Sequence, residues 1–251
     1  MAYKVENDDV VELGYYRGKT MKMAYPCRHD FLQGFSRKRK CFWQQDVMEW
    51  ALRFIPQNPC VVDVGSYVGN SAIWLAQVAD ARSVTAIEPD PLSFSLLEAN
   101  VALNGMEDRI KLIHSAVWSD AGRAYLKADS ITNHAAAQYR PCDPYNNAKW
   151  SVPMDKLDSL VAGRGDKVDL LLIDMEGYDY LAIRGAQQLI SSDRPVLMLT
   201  TFNPTAKTVD PCYDSLQGHI KLMGDLVDLG YESVGKLFNT TVFLPTGKRA
   251  G

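Results

Sequence analysis

The sequence predicts an α/β fold in which a doubly wound, mostly parallel sheet carries helices on both faces. Short apolar runs alternate along the chain with segments of helical periodicity, and a glycine-containing loop, VVDVGSYVGN at 61–70, follows the first clear apolar run. Hydrophobic residues make up 47 % of the 251 residues, which suits one sizeable core. This alternation is typical of consecutive β-α-β units.

The predicted strands share apolar, β-branched or aromatic composition. They are 60–65, 84–88, the start of 110–117, 168–174, 195–201, 231–235 and 240–245. The run at 168–174 is continuously apolar, which predicts a central strand buried on both faces.

The predicted helices lie between these strands. They are 43–54, 70–79, 91–103, 178–190 and 214–229. Apolar residues recur at i, i+4, i+7 and i+11 from Trp43 to Phe54. Asp90 followed by Pro91 indicates a helix start, and Gly105 the corresponding end.

Two regions lack sustained periodicity. We interpret residues 1–41 as an N-terminal extension, either a lid or a substrate-facing segment, and residues 42–251 as the main domain. Residues 119–130 could form a hairpin, and 131–150 a long loop. A loop of that length in a compact domain is usually functional or mobile.

Charge and cysteine content narrow the function classes. The net charge is −3, and the one basic run is Arg37 to Lys40 in SRKRK, so a general nucleic-acid partner is not expected. None of the five cysteines forms a CxxC pair, and neither a signal sequence nor a membrane span is evident. These features favour reduced thiols and a cytoplasmic location.

The glycine loop predicts a ligand site at the carboxyl end of the first strand. Gly65 permits a tight turn, and Gly69 lets the next helix begin close to a ligand. Glu88 ends the next strand, where a carboxylate can accept two hydrogen bonds from a ribose.

Two cofactors are compatible with such a site. A dinucleotide loop needs a small middle residue beside the pyrophosphate, whereas Tyr67 occupies space there and Asp63 adds a negative charge. S-adenosylmethionine carries an ammonium, a sulfonium and a ribose, and therefore suits Asp63 better. Loop chemistry favours the methyl donor over the dinucleotide, and both stay open.

Several motifs in order resemble one family. They are DVGSYVG at 63–69, AIEPDP at 86–91, LEAN at 97–100, LNG at 103–105, VPMDKLDSL at 152–160, VDLLLIDMEGYDYLAIRGAQQLI at 168–190, RPVLMLTTF at 194–202 and LGYE at 229–232. The first four resemble class I S-adenosylmethionine-dependent methyltransferases. The second half resembles the FkbM family of O-methyltransferases, and the resemblance spans about 42–245.

The resemblance implies a seven-stranded, Rossmann-like sheet whose last strand is antiparallel. It also implies S-adenosylmethionine as the cofactor and methyl transfer to a hydroxyl, often of a sugar or a glycosylated natural product. The cofactor-binding residues it implies are Asp63, Gly65, Ser66, Tyr67, Gly69, Asn70, Ser71, Glu88, Pro89, Ser115, Ala116 and Asp174. Family members often have a Glu at the end of the following strand, where this chain reads Leu199-Thr200-Thr201.

Methyl transfer to an alcohol needs a base or a metal, because the hydroxyl is a poor nucleophile until its proton leaves. Asp174 and Glu176 follow a predicted strand, and either could take the proton directly or through Mg²⁺ or Mn²⁺. Alternatively, Asp174 orients the cofactor and Glu176 caps the next helix. His134 is a third candidate base within the long loop.

The acceptor could contact aromatic and polar residues of the loop, for which the candidates are Tyr139, Arg140, Asp143, Tyr145 and Trp150. A small-molecule or glycan acceptor is expected, with no nucleic acid or membrane as partner. Three other functions stay open: a non-catalytic methyltransferase-like binding protein, an NAD-dependent dehydrogenase, and a nucleic-acid methyltransferase supported by SRKRK alone.

Overall fold

A computed structural model describes residues 4–16, 18–27, 30–127, 139–140, 148–200 and 215–247. The strands are β1 Val10–Tyr16, β2 Lys19–Ala24, β3 Cys60–Val64, β4 Ser83–Ile87, β5 Ile110–Ile113, β6 Ala116–Trp118, β7 Gly122–Lys127, β8 Tyr139–Arg140, β9 Ala148–Lys156, β10 Leu170–Ile173, β11 Val196–Thr200, β12 Tyr231–Leu237 and β13 Thr240–Pro245. The helices are α1 Phe31–Arg39, α2 Gln45–Ala51, α3 Asn70–Gln77, α4 Pro91–Leu103, α5 Leu157–Leu160, α6 Asp179–Arg184, α7 Gln187–Asp193 and α8 Ser215–Asp228.

The central sheet has seven strands in the order β12-β13-β11-β10-β3-β4-β5. Its neighbours from β11 to β5 are parallel, whereas β13 runs antiparallel to both β11 and β12. The predicted α/β class and the antiparallel last strand are confirmed. The carboxyl ends of β4, β3, β10 and β11 meet at one edge, where a parallel sheet binds its ligands.

Helices cover both faces of this sheet. One core joins α3 and α4 to the sheet, and the other joins α5, α6, α7 and α8 to the opposite face. Side chains of β3 alternate between them: Val61 belongs to the first core, and Val62 and Val64 belong to the second. A doubly wound layout follows.

A second, four-stranded sheet lies where the sequence predicted a continuous strand and a long loop. The predicted strand 110–117 divides, since β5 ends at Ile113 and β6 pairs with β9 instead. The order of this sheet is β6-β9-β7-β8. Residues 148–156, of which 148–150 were predicted as part of the loop, form the inner strand β9. Periodicity missed it because its partners are distant in sequence.

Two predicted helices differ from those observed. The helix predicted over 43–54 is the shorter α2, and the one predicted over 178–190 divides into α6 and α7 at Gly185. At Gly185 a Cβ atom would lie 2.2 Å from the Trp118 carbonyl oxygen, so the second sheet packs directly on this break. Helix α4 begins as predicted, with the Asp90 carboxylate accepting from the Leu92 and Ser93 amides.

The N-terminal segment 1–41 contains regular structure that its sequence pattern did not reveal. Strands β1 and β2 form an antiparallel hairpin, and α1 begins at an Asp30 N-cap. Buried residues of the hairpin, such as Leu13 and Met23, share the first core with α3 and α4. In the described part of the chain, no helix is long and apolar enough to cross a membrane.

Candidate active site

A pocket opens at the carboxyl edge of the central sheet, between the glycine loop and the segment after β10. Eight of the predicted site residues line it, namely Gly65, Tyr67, Glu88, Pro89, Ser115, Ala116, Asp174 and Glu176. The remaining lining residues are Val64, Ile87, Val117, Trp118, Met175 and Tyr178.

Gly65 joins the two halves of this pocket. Its φ is +83°, and a Cβ atom there would lie 2.0 Å from the Asp174 carbonyl oxygen. The Asp174 amide in turn donates to the Val64 carbonyl at 2.9 Å. Only glycine therefore allows the end of β3 to approach the end of β10 this closely.

Gly69 has a different neighbour. With φ at +96°, it precedes α3, and a Cβ atom there would lie 2.8 Å from the Leu97 Cδ1 atom. The absence of a side chain lets the first turn of α3 pack against Leu97 of α4, and Gly69 itself does not line the pocket.

Glu88 follows β4 and is held through both carboxylate oxygens. The Tyr67 and Asp90 amides each donate to it at 2.8 Å. Burial raises the pKa of Glu88 to about 8, and the two amides offset part of this shift. A carboxylate has about four acceptor positions, so Glu88 retains capacity for a diol.

Asp63 lies on the sheet face opposite Val62 and Val64, and does not line the pocket. It is 0 % exposed, and among the described residues no hydrogen-bond donor reaches either carboxylate oxygen. Burial raises its pKa to about 7, the nearby Ser66 hydroxyl opposes the shift, and the charge of Asp174 adds to it.

Three further predicted residues, Ser66, Asn70 and Ser71, also lie outside the pocket lining. The Ser66 hydroxyl donates to the Asp63 carbonyl at 2.9 Å, and the Asn70 amide oxygen accepts from the Tyr25 hydroxyl. Ser71 is half-buried in the first turn of α3. Ser66 and Asn70 therefore have contacts that brace the loop.

Ser115 and Ala116 lie at the crossing from the central sheet to the second sheet. The Ser115 hydroxyl lies 3.0 Å from the Ala116 carbonyl and 3.1 Å from the Pro153 carbonyl, which occupies its proton. A ring nitrogen of the neighbouring His114 lies 3.1 Å from the carbonyl oxygen of Pro89, which also lines the pocket. These contacts hold two walls of the pocket in place.

Asp174 is partly exposed at the end of β10. Burial raises its pKa to about 6, while the Thr200 hydroxyl and the Glu176 amide act to lower it. Thr200 ends β11, at the position where family members often carry a Glu. A neutral hydroxyl therefore faces Asp174 at this position.

Glu176 lies two residues farther on, with a left-handed φ of 51°. It is exposed, and its pKa is raised by partial withdrawal from water and by the negative charge of Asp174. The residue that precedes α6 is Tyr178, without a side-chain cap. Glu176 is therefore not the N-cap residue of that helix.

Asp179 is a buried carboxyl group that sequence reasoning missed. It is 3 % exposed, and its Oδ1 atom accepts from the Met175 amide at 3.3 Å. Its pKa is raised to about 8, mainly by burial and in part by the negative charges of Asp174 and Glu176. The available signal was a third acidic residue after the strand, in DMEGYD.

Two aromatic residues in the pocket wall were also missed. The rings of Trp118 and Tyr178 lie 5.2 Å apart, in a tilted arrangement, and both residues line the pocket. They come from β6 and from the residue before α6, so only the packing of the second sheet brings them together. Among the predicted acceptor residues, Trp150 is half-buried in β9, and the backbone of Tyr139 and Arg140 forms β8.

Some predictions lie outside the described residues, namely those for His134, Asp143 and Tyr145. Within the described ranges, no group of three or more His, Cys, Asp or Glu side chains is arranged to hold a metal ion. The predicted divalent cation thus has no support from these residues.

Part of the basic run SRKRK has a structural role. The Arg37 guanidinium donates to the backbone carbonyls of Asp8, Asp9 and Tyr25 at 2.9–3.0 Å. Residues 38–40 are exposed at the end of α1. Only three of the four basic residues are therefore exposed as a cationic patch.

Comparisons with known proteins find both partial sequence relatives and similar folds. Methyltransferase sdnD of Sordaria araneosa is 29 % identical over 27 % of this chain and 26 % of its own length. The ribosomal RNA small subunit methyltransferase G of Thermobifida fusca is 29 % identical over 51 % of this chain and 52 % of its own. The chain thus spans between about a quarter and half of these relatives.

Among solved structures, the methyltransferase FkbM of Methylobacillus flagellatus is 16 % identical, with a TM-score of 0.52 over 75 % of this chain and 44 % of that one. A provisionally named caffeoyl-CoA O-methyltransferase of Staphylococcus aureus is 10 % identical, with a TM-score of 0.53 over 85 % and 90 %. At these identities the likeness shows the fold alone.

The family model described as the methyltransferase FkbM domain matches residues 63–232, which is more than half of the chain. This range begins at Asp63, contains the glycine loop, Glu88 and Asp174, and ends in β12. The sequence resemblance is thereby confirmed, and the chain belongs to the FkbM methyltransferase family.

Proposed function

We propose that this protein is an S-adenosylmethionine-dependent O-methyltransferase that acts on a hydroxyl of a sugar or a glycosylated small molecule in the cytoplasm. One observation carries the proposal. Asp174, with a pKa raised to about 6, lines the same pocket as Glu88, and its backbone touches the Gly65 turn. The carboxylate proposed to take the proton, Asp174, and the carboxylate proposed to bind the ribose, Glu88, thus share one pocket.

The residues fit S-adenosylmethionine in three respects. The Asp63 carboxylate is buried just outside the pocket lining without a hydrogen-bond donor among the described residues, and a cationic methionine end bound nearby would stabilise its charge. Glu88 has free acceptor capacity for a ribose diol. Pro89, Ala116 and Val117 offer apolar walls for a planar base.

When bound, the cofactor supplies a methyl group already activated on a sulfonium. The chain then has to align the acceptor and remove its proton. Asp174 is mostly ionised at pH 7, because its pKa lies about one unit lower. Its carboxylate can therefore accept a hydroxyl proton, and the Thr200 hydroxyl stabilises its ionised form.

Glu176 is the second candidate for the base. It lines the pocket but is exposed, so water can compete with an acceptor for its oxygens. We therefore assign proton removal to Asp174 and acceptor contact to Glu176. His134 stays a prediction.

The sugar acceptor is supported by Trp118 and Tyr178 beside the two carboxylates. Sugars present apolar C–H faces to aromatic rings and hydroxyls to carboxylates. The relative that acts on ribosomal RNA gives a second candidate acceptor. The internal use of Arg37 and the net charge of −3 weigh against RNA.

Calorimetric titration with S-adenosylhomocysteine tests the cofactor, and NAD serves as the comparison. Micromolar binding of S-adenosylhomocysteine alone supports the proposal, whereas binding of NAD alone would indicate a dehydrogenase. Binding of neither would leave a methyltransferase-like binding protein.

Methyl transfer from labelled S-adenosylmethionine to a panel of glycosides and to ribosomal RNA then tests the acceptor. We expect label in glycosides, retained at high salt. Label in RNA that falls steeply with salt would overturn the sugar assignment. Parallel reactions with magnesium, with manganese and with a chelator test the predicted divalent cation.

A further inference from the structure

We propose that Ala24, Tyr25 and Gln33 of the N-terminal segment are part of the cofactor site, because together with Asn100 of α4 they hold the glycine loop in the conformation that binds the cofactor. Two direct contacts, Gln33 to Tyr67 and Tyr25 to Asn70, and one bridge through Asn100 from Ala24 to Val68 connect these residues to the loop. We call these three contacts the loop clamp. The proposal rests on the proposed function only where it predicts cofactor affinity.

The first contact of the clamp is between Gln33 and Tyr67. The Gln33 Nε2 atom donates to the Tyr67 hydroxyl at 2.6 Å, and the Gln33 Oε1 atom accepts from the Cys27 amide at 2.8 Å. Gln33 is 1 % exposed and Tyr67 is 8 % exposed. The amide group is therefore held at both ends in a site that excludes water.

The other two contacts involve Asn100 and Asn70. The Asn100 side chain accepts from the Ala24 amide at 2.6 Å and donates to the Val68 carbonyl at 2.9 Å, so it bridges β2 to the loop. The Tyr25 hydroxyl, fully buried, donates to the Asn70 amide oxygen at the start of α3.

The loop needs such support because its backbone is strained. Tyr67 has a φ of +52° between two glycines of positive φ. A left-handed conformation costs a residue with a side chain about 1–2 kcal/mol, and it persists only where the surroundings enforce it. The buried phenol is the part of Tyr67 through which Gln33 can enforce it.

Tyr67 connects the loop clamp to Glu88, the residue proposed to bind the ribose. The Tyr67 amide donates to Glu88, so the conformation of Tyr67 sets one of the two bonds that orient this carboxylate. Gln33 and Tyr25 are positioning residues, since neither lines the pocket. By linkage, a ligand that orders the loop should also order the N-terminal segment.

The test measures hydrogen exchange of the amides of residues 65–70 in the ligand-free protein. Its variants are Gln33→Met, Tyr67→Phe and the double variant. We expect about tenfold faster exchange in each single variant, because both lose the Gln33–Tyr67 hydrogen bond, and little further change in the double variant. If Gln33→Met fails to fold, Tyr67→Phe still decides the question.

Lys19→Met is the matched control. Lys19 connects the same hairpin to the opposite end of α3, through the Gln77 carbonyl and Asp80 at 2.8 Å. We expect exchange in 65–70 to stay at the wild-type rate. Unchanged exchange in both clamp variants, additive effects, or equal acceleration by Lys19→Met would each overturn the clamp.

Affinity for S-adenosylhomocysteine gives the second readout. We expect it to fall about three- to tenfold in Gln33→Met and to stay unchanged in Lys19→Met. If the wild-type protein does not bind S-adenosylhomocysteine, the proposed function fails, and the exchange rates still decide whether the clamp exists. Faster exchange with undiminished affinity would overturn the assignment of the segment to the cofactor site.

Discussion

Strands β4 and β10 are each followed by a carboxylate of the pocket. The two carboxylates share a raised pKa but differ in exposure and in hydrogen-bond partners. Glu88 and Asp174 both line the pocket, and burial raises the pKa of each. Glu88 is buried and receives a backbone amide on each oxygen. Asp174 is partly exposed, and a hydroxyl from β11 is among its partners.

This difference in exposure and hydrogen bonding suits one carboxylate to ligand binding and the other to proton transfer. A carboxylate held by two rigid amides presents its remaining acceptor positions in a fixed direction, which suits recognition of a diol. A carboxylate that keeps some exposure and a pKa near 6 can exchange a proton at neutral pH. Gly65 connects the two strand ends, so substitutions at Asp174, Gly65 and Glu88 test this difference.

The largest expected effect comes from Asp174→Asn. The amide keeps the shape of the side chain but cannot accept the acceptor proton, so methyl transfer should fall on the order of 10²- to 10⁴-fold. Affinity for S-adenosylhomocysteine should change less than about threefold. Single-turnover methyl transfer and calorimetry measure the two quantities.

The pH dependence of the methyl-transfer rate gives a second test of Asp174 as the base. The wild-type rate should rise with pH through about 6, as Asp174 loses its proton. Thr200→Val is the control, because loss of the hydroxyl that lowers this pKa should move the rise to higher pH. Retained turnover in Asp174→Asn would refute the assignment.

Gly65→Ala should damage both strand ends together. A Cβ atom 2.0 Å from the Asp174 carbonyl oxygen, at a φ of +83°, should lower the free energy of unfolding by about 3 kcal/mol or more. Chemical denaturation measures this loss. Gly163→Ala is the matched control, with φ at +74° and no heavy atom within 4 Å of the added Cβ. It should cost only the conformational strain, about 1 kcal/mol.

Glu88→Gln should weaken S-adenosylhomocysteine binding about 10- to 100-fold, since a charge-assisted hydrogen bond contributes about 1.5–3 kcal/mol. Wild-type affinity should rise as pH increases through about 8, because the ionised form accepts the diol. Calorimetry at several pH values measures both effects. If the affinity of Glu88→Gln depends equally steeply on pH, a group other than Glu88 causes this dependence.

Asp179→Asn should have the smallest effect, confined to the pH dependence of stability. The pKa of Asp179 is raised to about 8, so between about pH 4 and 8 the folded protein keeps a proton that the unfolded chain has lost. Wild-type stability should therefore fall as pH rises through this range. The variant should lose on the order of 1 kcal/mol less between pH 6 and 8.

Asp193→Asn should change the pH dependence of stability in the opposite direction to Asp179→Asn. Asp193 accepts from Arg164 and from the Val168 amide, each at 2.8 Å, and its pKa is lowered although burial acts to raise it. Its contribution is present above the unfolded pKa and is lost as pH falls. Thermal unfolding at several pH values distinguishes the two aspartates, and the same pH dependence in both variants would contradict the assignment.

Local patterns in the sequence determined the parallel sheet, the glycine loop and the chain positions of Asp63, Glu88 and Asp174. Strand and helix periodicity, the Asp90-Pro91 start of α4 and the two loop glycines depend on neighbouring residues. Such residues meet in any compact fold of this class, so the edge of the sheet that carries the pocket was predictable as well.

Only the tertiary structure decided the second sheet, the buried Asp179, the Trp118 and Tyr178 wall, and the loop clamp. Gln33 and Tyr67 are 34 residues apart, and Ala24 and Asn100 are 76 apart. Contacts at this separation leave no periodic signal, because they depend on how whole elements pack. The sequence thus determined where the carboxylates stand, and the packing around them decided which is held rigid and which can exchange a proton.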